Sequence, residues 1–348
     1  MTPLPFYEGA AGAPAKRVVG FTTTIPVELV FAAGLRPCDL NNLFVSHPDP
    51  VHYVAAAERD GFPKNMCNWI KGLYGVVRET GIDVVIGVME GDCSNTRALA
   101  EILSYRGVRI IPFSFPFDRD RQALAREINK LADALGADRE RLAAVEEALR
   151  PVRESLALID SMTWEERLVT GEENHIWQLC ASDMDGDYEQ YGKRAKAFIE
   201  EAKQRAPLKG IPIGYVGVPP INPDLYAFVE GFGCRVVYNE VQRQFSLPYA
   251  GDMLERYMRY TYPYGIFARI EDMRQEIYRR GVAGVIHYVQ AFCYRAIEDV
   301  ILKETLGVPA ITIEGDLPKP LDARTRLRLE AFIEMLKDKS EEDGVWRR

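Results

Sequence analysis

Six cysteines are spread over the 348 residues of this chain. Three of them, Cys67, Cys93 and Cys293, stand where a thiol can do chemistry. Cys93 follows the apolar run IDVVIGVM and the turn EGD, so it lies just past a strand and opens a helix. Cys293 follows AGVIHYVQAF in the same relation, and Cys67 stands near the start of a third helix, after Lys64-Asn65-Met66. A helix N-terminus favours thiolate over thiol, and thiolate is the form that ligates metals. Sites in open α/β sheets collect beyond the carboxyl ends of the strands, where these thiols can meet around a metal ion or an iron–sulfur cluster. The spacing alone is not diagnostic, because no C-x-x-C run of the ferredoxin kind is present. Small buried hydrophobes are the competing reading. That reading is the one assigned to Cys38, Cys180 and Cys234, which lie inside strand or helix segments.

The elements that must position these thiols follow from periodicity. RVVGF at 17–21 reads as a buried strand and TTTIPVELVFAAG as a helix, with Thr24 as its cap, Pro26 in its first turn and Gly34 at its end. LRPCDLNNLFV reads as extended. Helices are expected over roughly 48–59 and 65–79, a strand over 82–89, a helix from Cys93 to Arg106-Gly107, and a strand at VRIIPF. This alternation is that of a parallel sheet with covering helices. Residues 119–206 are rich in Ala, Leu, Glu and Arg with helical periodicity and no strand. The strand pattern restarts at LKGIPIGYVGVP and recurs at GCRVVYN, AGVIHYV and VPAITIE. The expected architecture is therefore α/β, with two Rossmann-like doubly wound lobes at 1–118 and 207–348 and a helical segment at 119–206 between them.

Composition narrows the function classes. A net charge of −8 with no basic stripe argues against a nucleic-acid surface. No apolar run is long enough for a membrane span, and MTPLPFYEGAAGAPAKR lacks the apolar core of a signal peptide, so a cytoplasmic protein without membrane partners is expected. Six cysteines in such a chain are not a disulfide framework. There is neither a G-x-x-x-x-G-K-[ST] phosphate loop nor a G-x-S-x-G nucleophile turn.

Four stretches resemble the 2-hydroxyacyl-CoA dehydratase and benzoyl-CoA reductase family, which also includes the double-cubane cluster proteins. VGFTTTIPVELVFAAGLRP looks like its opening strand, Pro-x-Glu turn and Ala-Ala-Gly helix end. FPKNMCNWIKGLYG and EGDCSNTRALAE look like its first two cysteine motifs. HYVQAFCYRAIEDVILKETLGVPAITIEGD looks like the third, closing on Pro309, Glu314 and Asp316. The resemblance implies a [4Fe–4S] cluster on Cys67, Cys93 and Cys293 at the interface of the lobes. Its fourth iron is open or holds a water, a substrate or a small ligand. It also implies a homo- or heterodimer of like or related subunits, and a separate ATP-hydrolysing iron–sulfur activator that injects one electron at very low potential. In the dehydratases that electron makes a ketyl radical from an acyl-CoA thioester, and loss of the hydroxyl follows. A subunit whose cluster only relays electrons or stabilises a heterodimer is the alternative, and thiolates alone also permit zinc.

The sequence departs from the family pattern in places. VVYNEVQRQFSLPY and RYMRYTYPYGIFAR lack the further cysteines of the double-cubane proteins, Thr22, Thr23 and Thr24 stand where many relatives carry Cys or Ser, and Ser94 replaces an Asp. Pocket candidates are Glu28, which aligns with the family's Pro-x-Glu, Thr22 and Thr23 as hydrogen-bonding groups, and His287 near Cys293. Each has a structural alternative: helix-dipole pairing for Glu28, capping for the threonines, a satisfied core residue for His287. Lys71 reads as a charge-balancing group or a solvated lysine, Asp92 and Asn95 as groups supporting Cys93 or as turn and capping residues, His175 as a cleft residue or a structural one, Glu314 and Asp316 as orienting or structural carboxylates, and Tyr257, Tyr260, Tyr262, Tyr264 and Phe267 as a pocket wall or a packed interface.

Overall fold

A computed structural model describes residues 16–342. Eight strands form two four-stranded parallel sheets with the same strand order. The first holds β1 (Val18–Phe21), β2 (Arg36–Asp39), β3 (Val84–Glu90) and β4 (Arg109–Ser114) in the order β2-β1-β3-β4. The second holds β5 (Ile211–Gly217), β6 (Cys234–Asn239), β7 (Gly284–Gln290) and β8 (Ala310–Gly315) in the order β6-β5-β7-β8. Central strands β5 and β7 are buried along their whole length, as parallel strands covered on both faces must be. The α/β reading with two lobes is what the chain adopts.

Between the sheets run only helices, among them Arg121–Leu135, Arg139–Trp164, Gly171–Cys180 and Tyr188–Ala202. They do not form a separate layer throughout. Leu124, Ile128 and Leu131 of the first pack into the core of the first sheet with Phe21, Ile86 and Phe113. Tyr257, Tyr260 and Tyr264, from the second half of the chain, join that same core. A second apolar cluster runs from Phe44, Ile70 and Tyr74 to Ile213, Tyr288 and Leu329, so the lobes share one continuous core.

Only the first part of LRPCDLNNLFV is extended. Leu40–Ser46 is a helix, because the Asp39 side chain accepts from the Asn41 N–H at 2.9 Å and caps it. The first helix starts at Val27, two residues later than a Thr24 cap would place it, with Pro26 at the cap position, and the Thr24 side chain does not cap it.

The helices Val51–Arg59 and Asn68–Thr80 touch through glycine. A Cβ built on Gly75 would lie 2.4 Å from the Tyr53 carbonyl oxygen and 2.7 Å from its Cα, both backbone atoms that cannot rotate away. Gly75→Ala is expected to destabilise the chain by about 1–3 kcal/mol, as overpacking does. A lowered urea-unfolding midpoint checks it, and an unchanged midpoint would show the two helices free to part.

Candidate functional site

Each of the three cysteines is the residue immediately before a helix: Cys67 before Asn68–Thr80, Cys93 before Ser94–Tyr105, and Cys293 before the short 3-10 turn Tyr294–Glu298. The local sequence accounts for two of these starts. Between β3 and Cys93 the chain turns through Gly91 at φ 94°, where a Cβ would come within 2.7 Å of Pro263 and 2.9 Å of Phe115. Asp92 then accepts from the Cys93 N–H at 2.8 Å. After β7 the turn uses Phe292 at φ 64°, a left-handed conformation that costs a non-glycine residue about 1–2 kcal/mol.

Cys67 comes from the loop between two helices rather than from a strand end, and cross-links hold it. Lys71, with no exposed surface, donates from Nζ to Glu58 at 2.8 Å and to the Lys64 carbonyl at 2.9 Å, which pins the loop. Asn68 donates to Asp316 Oδ1 at 2.7 Å, tying this helix start to the end of the second sheet. Gln290 donates to the Asp316 carbonyl at 2.8 Å. Asp316 therefore bridges the neighbourhoods of Cys67 and Cys293.

All three cysteines line one cavity of about 160 Å³ between the lobes. Thr22, Thr23, Asp92 and Asn95 line it too, as do Arg295 and Gln290. Trp69, Leu73, Val218 and Phe245 make an apolar wall. Among the described residues, no three His, Cys, Asp or Glu side chains come close enough together to hold a single metal ion.

Burial outweighs the helix-start effect on the thiols. It pushes Cys67 up to about 11, and the nearby Cys93 and Cys293 add to the shift, while the Trp69 and Ile70 N–H groups oppose it. Cys93 and Cys293 are raised for the same leading reason. The free thiols are therefore protonated, and a metal must displace those protons to bind. Burial also raises Asp92 to about 6. Arg295, 3% exposed, is the single cationic side chain that lines the cavity among the described residues. It donates to the Tyr262 carbonyl at 2.6 Å and pairs with Glu298 at 3.3 Å.

Two residues expected at the pocket lie apart from it. Glu28 is fully buried but does not line the cavity; it pairs with Arg153 at 2.6 Å and Arg256 at 3.3 Å, and accepts from Tyr257 at 3.0 Å. These contacts fasten the first helix to the helical segment and to the second half of the chain, and the two guanidiniums hold its carboxyl below the usual range despite burial. His287 is on the opposite face of β7 from the cavity-lining Gln290, with Nδ1 2.9 Å from Asp299. Of the aromatic group, Tyr262 alone reaches the cavity. Cys38, Cys180 and Cys234 are buried core residues.

Asn41, Trp69 and Arg295 also belong to the site, although no motif in the sequence marks them. Trp69 Nε1 donates to Asn41 Oδ1 at 2.6 Å, and Asn41 in turn donates to Asp39 at 2.7 Å and to the Thr22 carbonyl at 3.0 Å. The available signal was adjacency: Trp69 and Arg295 each stand two residues after a candidate cysteine.

His175 is also outside the cavity, 1% exposed and stacked on Tyr226 at 4.6 Å. Burial pushes it down to about 3. The unfolded chain takes up a proton at this residue near pH 6.5 while the folded chain does not, so stability falls as pH drops from about 6.5 toward 3. His175→Phe is expected to flatten that slope: urea midpoints near pH 7 and pH 5 should differ less in the variant than in the native chain. Equal differences in the two proteins would refute it.

A family model described as 2-hydroxyglutaryl-CoA dehydratase, D-component, matches residues 22–336. No curated protein matches the chain. Among solved structures, the laminin-binding protein Lbp of Streptococcus pyogenes is 12% identical over 93% of this chain and 98% of that one, with a TM-score of 0.21. No helix among the described residues is long and apolar enough to cross a membrane.

Proposed function

This chain belongs to the 2-hydroxyglutaryl-CoA dehydratase D-component family, and on that premise we propose that it is the iron–sulfur subunit of an ATP-dependent, low-potential dehydratase or reductase system. The observation that carries the reading is the meeting of Cys67, Cys93 and Cys293, drawn from both lobes, on one cavity. The residues fit a [4Fe–4S] cluster. A single zinc with bonds of roughly 2.3 Å needs its sulfurs within about 4 Å of one another. A cluster that offers a separate iron to each thiol accepts wider spacing. The cavity also has room for a compact group, being close to the roughly 150 Å³ that takes up a benzene.

Bound there, such a cluster would supply single-electron transfer at low potential and Lewis acidity. The chain's own residues supply the rest. Cys67, Cys93 and Cys293 hold the group, with backbone N–H groups of the helix starts facing their sulfurs. Arg295 offsets the charge of the ionised thiols. Thr22 and Thr23 offer hydroxyls to a small acceptor, and the wall of Trp69, Leu73, Val218 and Phe245 keeps water from it. The substrate on this reading is the acyl end of a thioester, a 2-hydroxyacyl-CoA or an aromatic acyl-CoA, to which electrons are delivered singly. Glu28 and His287 take no part, since neither borders the cavity. The partners are an ATP-hydrolysing iron–sulfur activator and a like or related subunit.

Polar side chains on the cavity wall that a thiol-held group does not require, Thr22, Thr23 and Asn95, favour a catalytic over a relay subunit, because a relay needs no groups to bind a substrate. Anaerobic purification with iron and sulfide counting tests the proposal. About four of each per chain, with the visible absorption of a cluster, is the expected result. A chain that holds neither after careful reconstitution overturns it.

A further inference from the structure

A second cavity, of about 290 Å³, lies between the Arg139–Trp164 helix, the chain from Arg243 to Tyr249, and the Ile266–Arg279 helix. It shares no lining residue with the cysteine cavity and has no place in the function proposed above. Its size is at the lower edge of small-molecule sites. Its walls are two aromatic rings, each with a guanidinium against it: Arg279 is 5.0 Å from the Trp164 ring centre and Arg259 is 5.1 Å from that of Tyr249.

Charge in this cavity is unbalanced in one direction. Three carboxylates line it, Asp160, Asp272 and Glu276, and all are already engaged. Arg243 grips Asp272 through two bonds of 2.8 and 2.6 Å. Arg280, packed behind, binds Asp160 at 2.6 Å and Glu276 at 2.7 Å, and Arg279 adds a bond of 2.8 Å to Glu276. Arg280 makes a fourth cation against three anions, and Arg259 is left with no carboxylate partner among the described residues. The potential shows in the acids themselves: arginines hold Asp160 and Glu276 below the usual carboxylate range in spite of burial.

Three lining residues also carry a buried polar atom with no hydrogen-bond partner: Trp164 Nε1, Tyr249 Oη and Arg243 Nε. Native structures leave few such groups unpaired, and each one asks for a cause. All three can donate, and two can only donate. The polar groups left unpaired behind this wall are therefore donors, which adds to its positive character.

We infer that this cavity is a binding site for a small oxyanion, a phosphate or a carboxylate, held by Arg259 and Arg279 between Trp164 and Tyr249. Guanidinium forks match both kinds of anion with paired hydrogen bonds. Aromatic walls suit a ligand with a short organic body.

Trp164 provides the readout, as one of four tryptophans in the chain. The full-length protein is titrated with inorganic phosphate and separately with succinate, ionic strength being matched with sodium chloride. Saturable quenching of fluorescence is expected from at least one, and the stronger binder tells phosphate from carboxylate. Trp164→Phe should abolish the signal. Arg259→Gln changes a surface side chain whose one described contact is a ring, so the fold should survive, and affinity should fall at least about tenfold for the lost charge-assisted bonds. No saturable response to either anion, a response that persists in Trp164→Phe, or equal affinity in Arg259→Gln would each overturn the inference.

Discussion

Cys93→Ala, purified and reconstituted without oxygen, is expected to hold little or no intact cluster where the native chain holds about four irons. Cys67→Ala and Cys293→Ala should behave alike, and activity with the activator should be lost in all three. The change should leave the fold in place, because a thiol is only a weak hydrogen-bond acceptor and its loss costs each helix start little. Cys93 and Cys293 are also only partly buried. Alanine therefore removes a ligand without opening a large void. Cys180→Ala is the matched control, since that thiol is fully buried in another cluster and does not line the cavity. It should lower stability and leave iron content unchanged. Equal iron in Cys93→Ala and the native chain would remove the assignment of that thiol.

The largest effect on stability is expected at Arg269. This side chain has no exposed surface, and it grips Glu240, equally buried, at 2.7 and 3.0 Å while also donating to Glu298. Glu240 in turn accepts from the Gly217 N–H at 2.8 Å, at the end of a central strand. Arg269→Met leaves the Glu240 carboxylate in the core without its partner, which costs about 3–5 kcal/mol when one half of a buried pair is removed. Urea unfolding should show a midpoint far below that of the native chain. The double variant Arg269→Met/Glu240→Gln should recover part of the loss, because no unpaired charge remains. A single variant as stable as the native chain would show that solvent reaches Glu240.

How much of this was legible beforehand varies by element. The runs IDVVIGVM, GIPIGYVG and AGVIHYV declared strands through their apolar content, and each matches a strand of the sheets. Turns that precede Cys93 and Cys293 were visible because a strand, a short turn and a helix follow one another within a dozen residues. The segment after Pro37 misled, since Asp39 caps a helix there and a capping aspartate is also a turn residue. Glu28 misled for a different reason. Its partners Arg153 and Arg256 are 125 and 228 positions away, so nothing near it in sequence showed where its charge was spent.

The sequence by itself determined the α/β class, the order of the strands along the chain and the placing of three thiols at helix starts. All of these depend on residues close together in the chain, whose periodicity and capping act locally. Tertiary structure decided which side chains share a cavity, that Glu28 and His287 are excluded from it, and that Trp69, Asn41 and Arg295 belong to its surroundings. It also decided the protonation of the thiols, because desolvation depends on how much of both lobes closes over each sulfur, and it overrode the helix-start effect. Burial and long-range pairing are properties of the packed chain, and no window of sequence contains them.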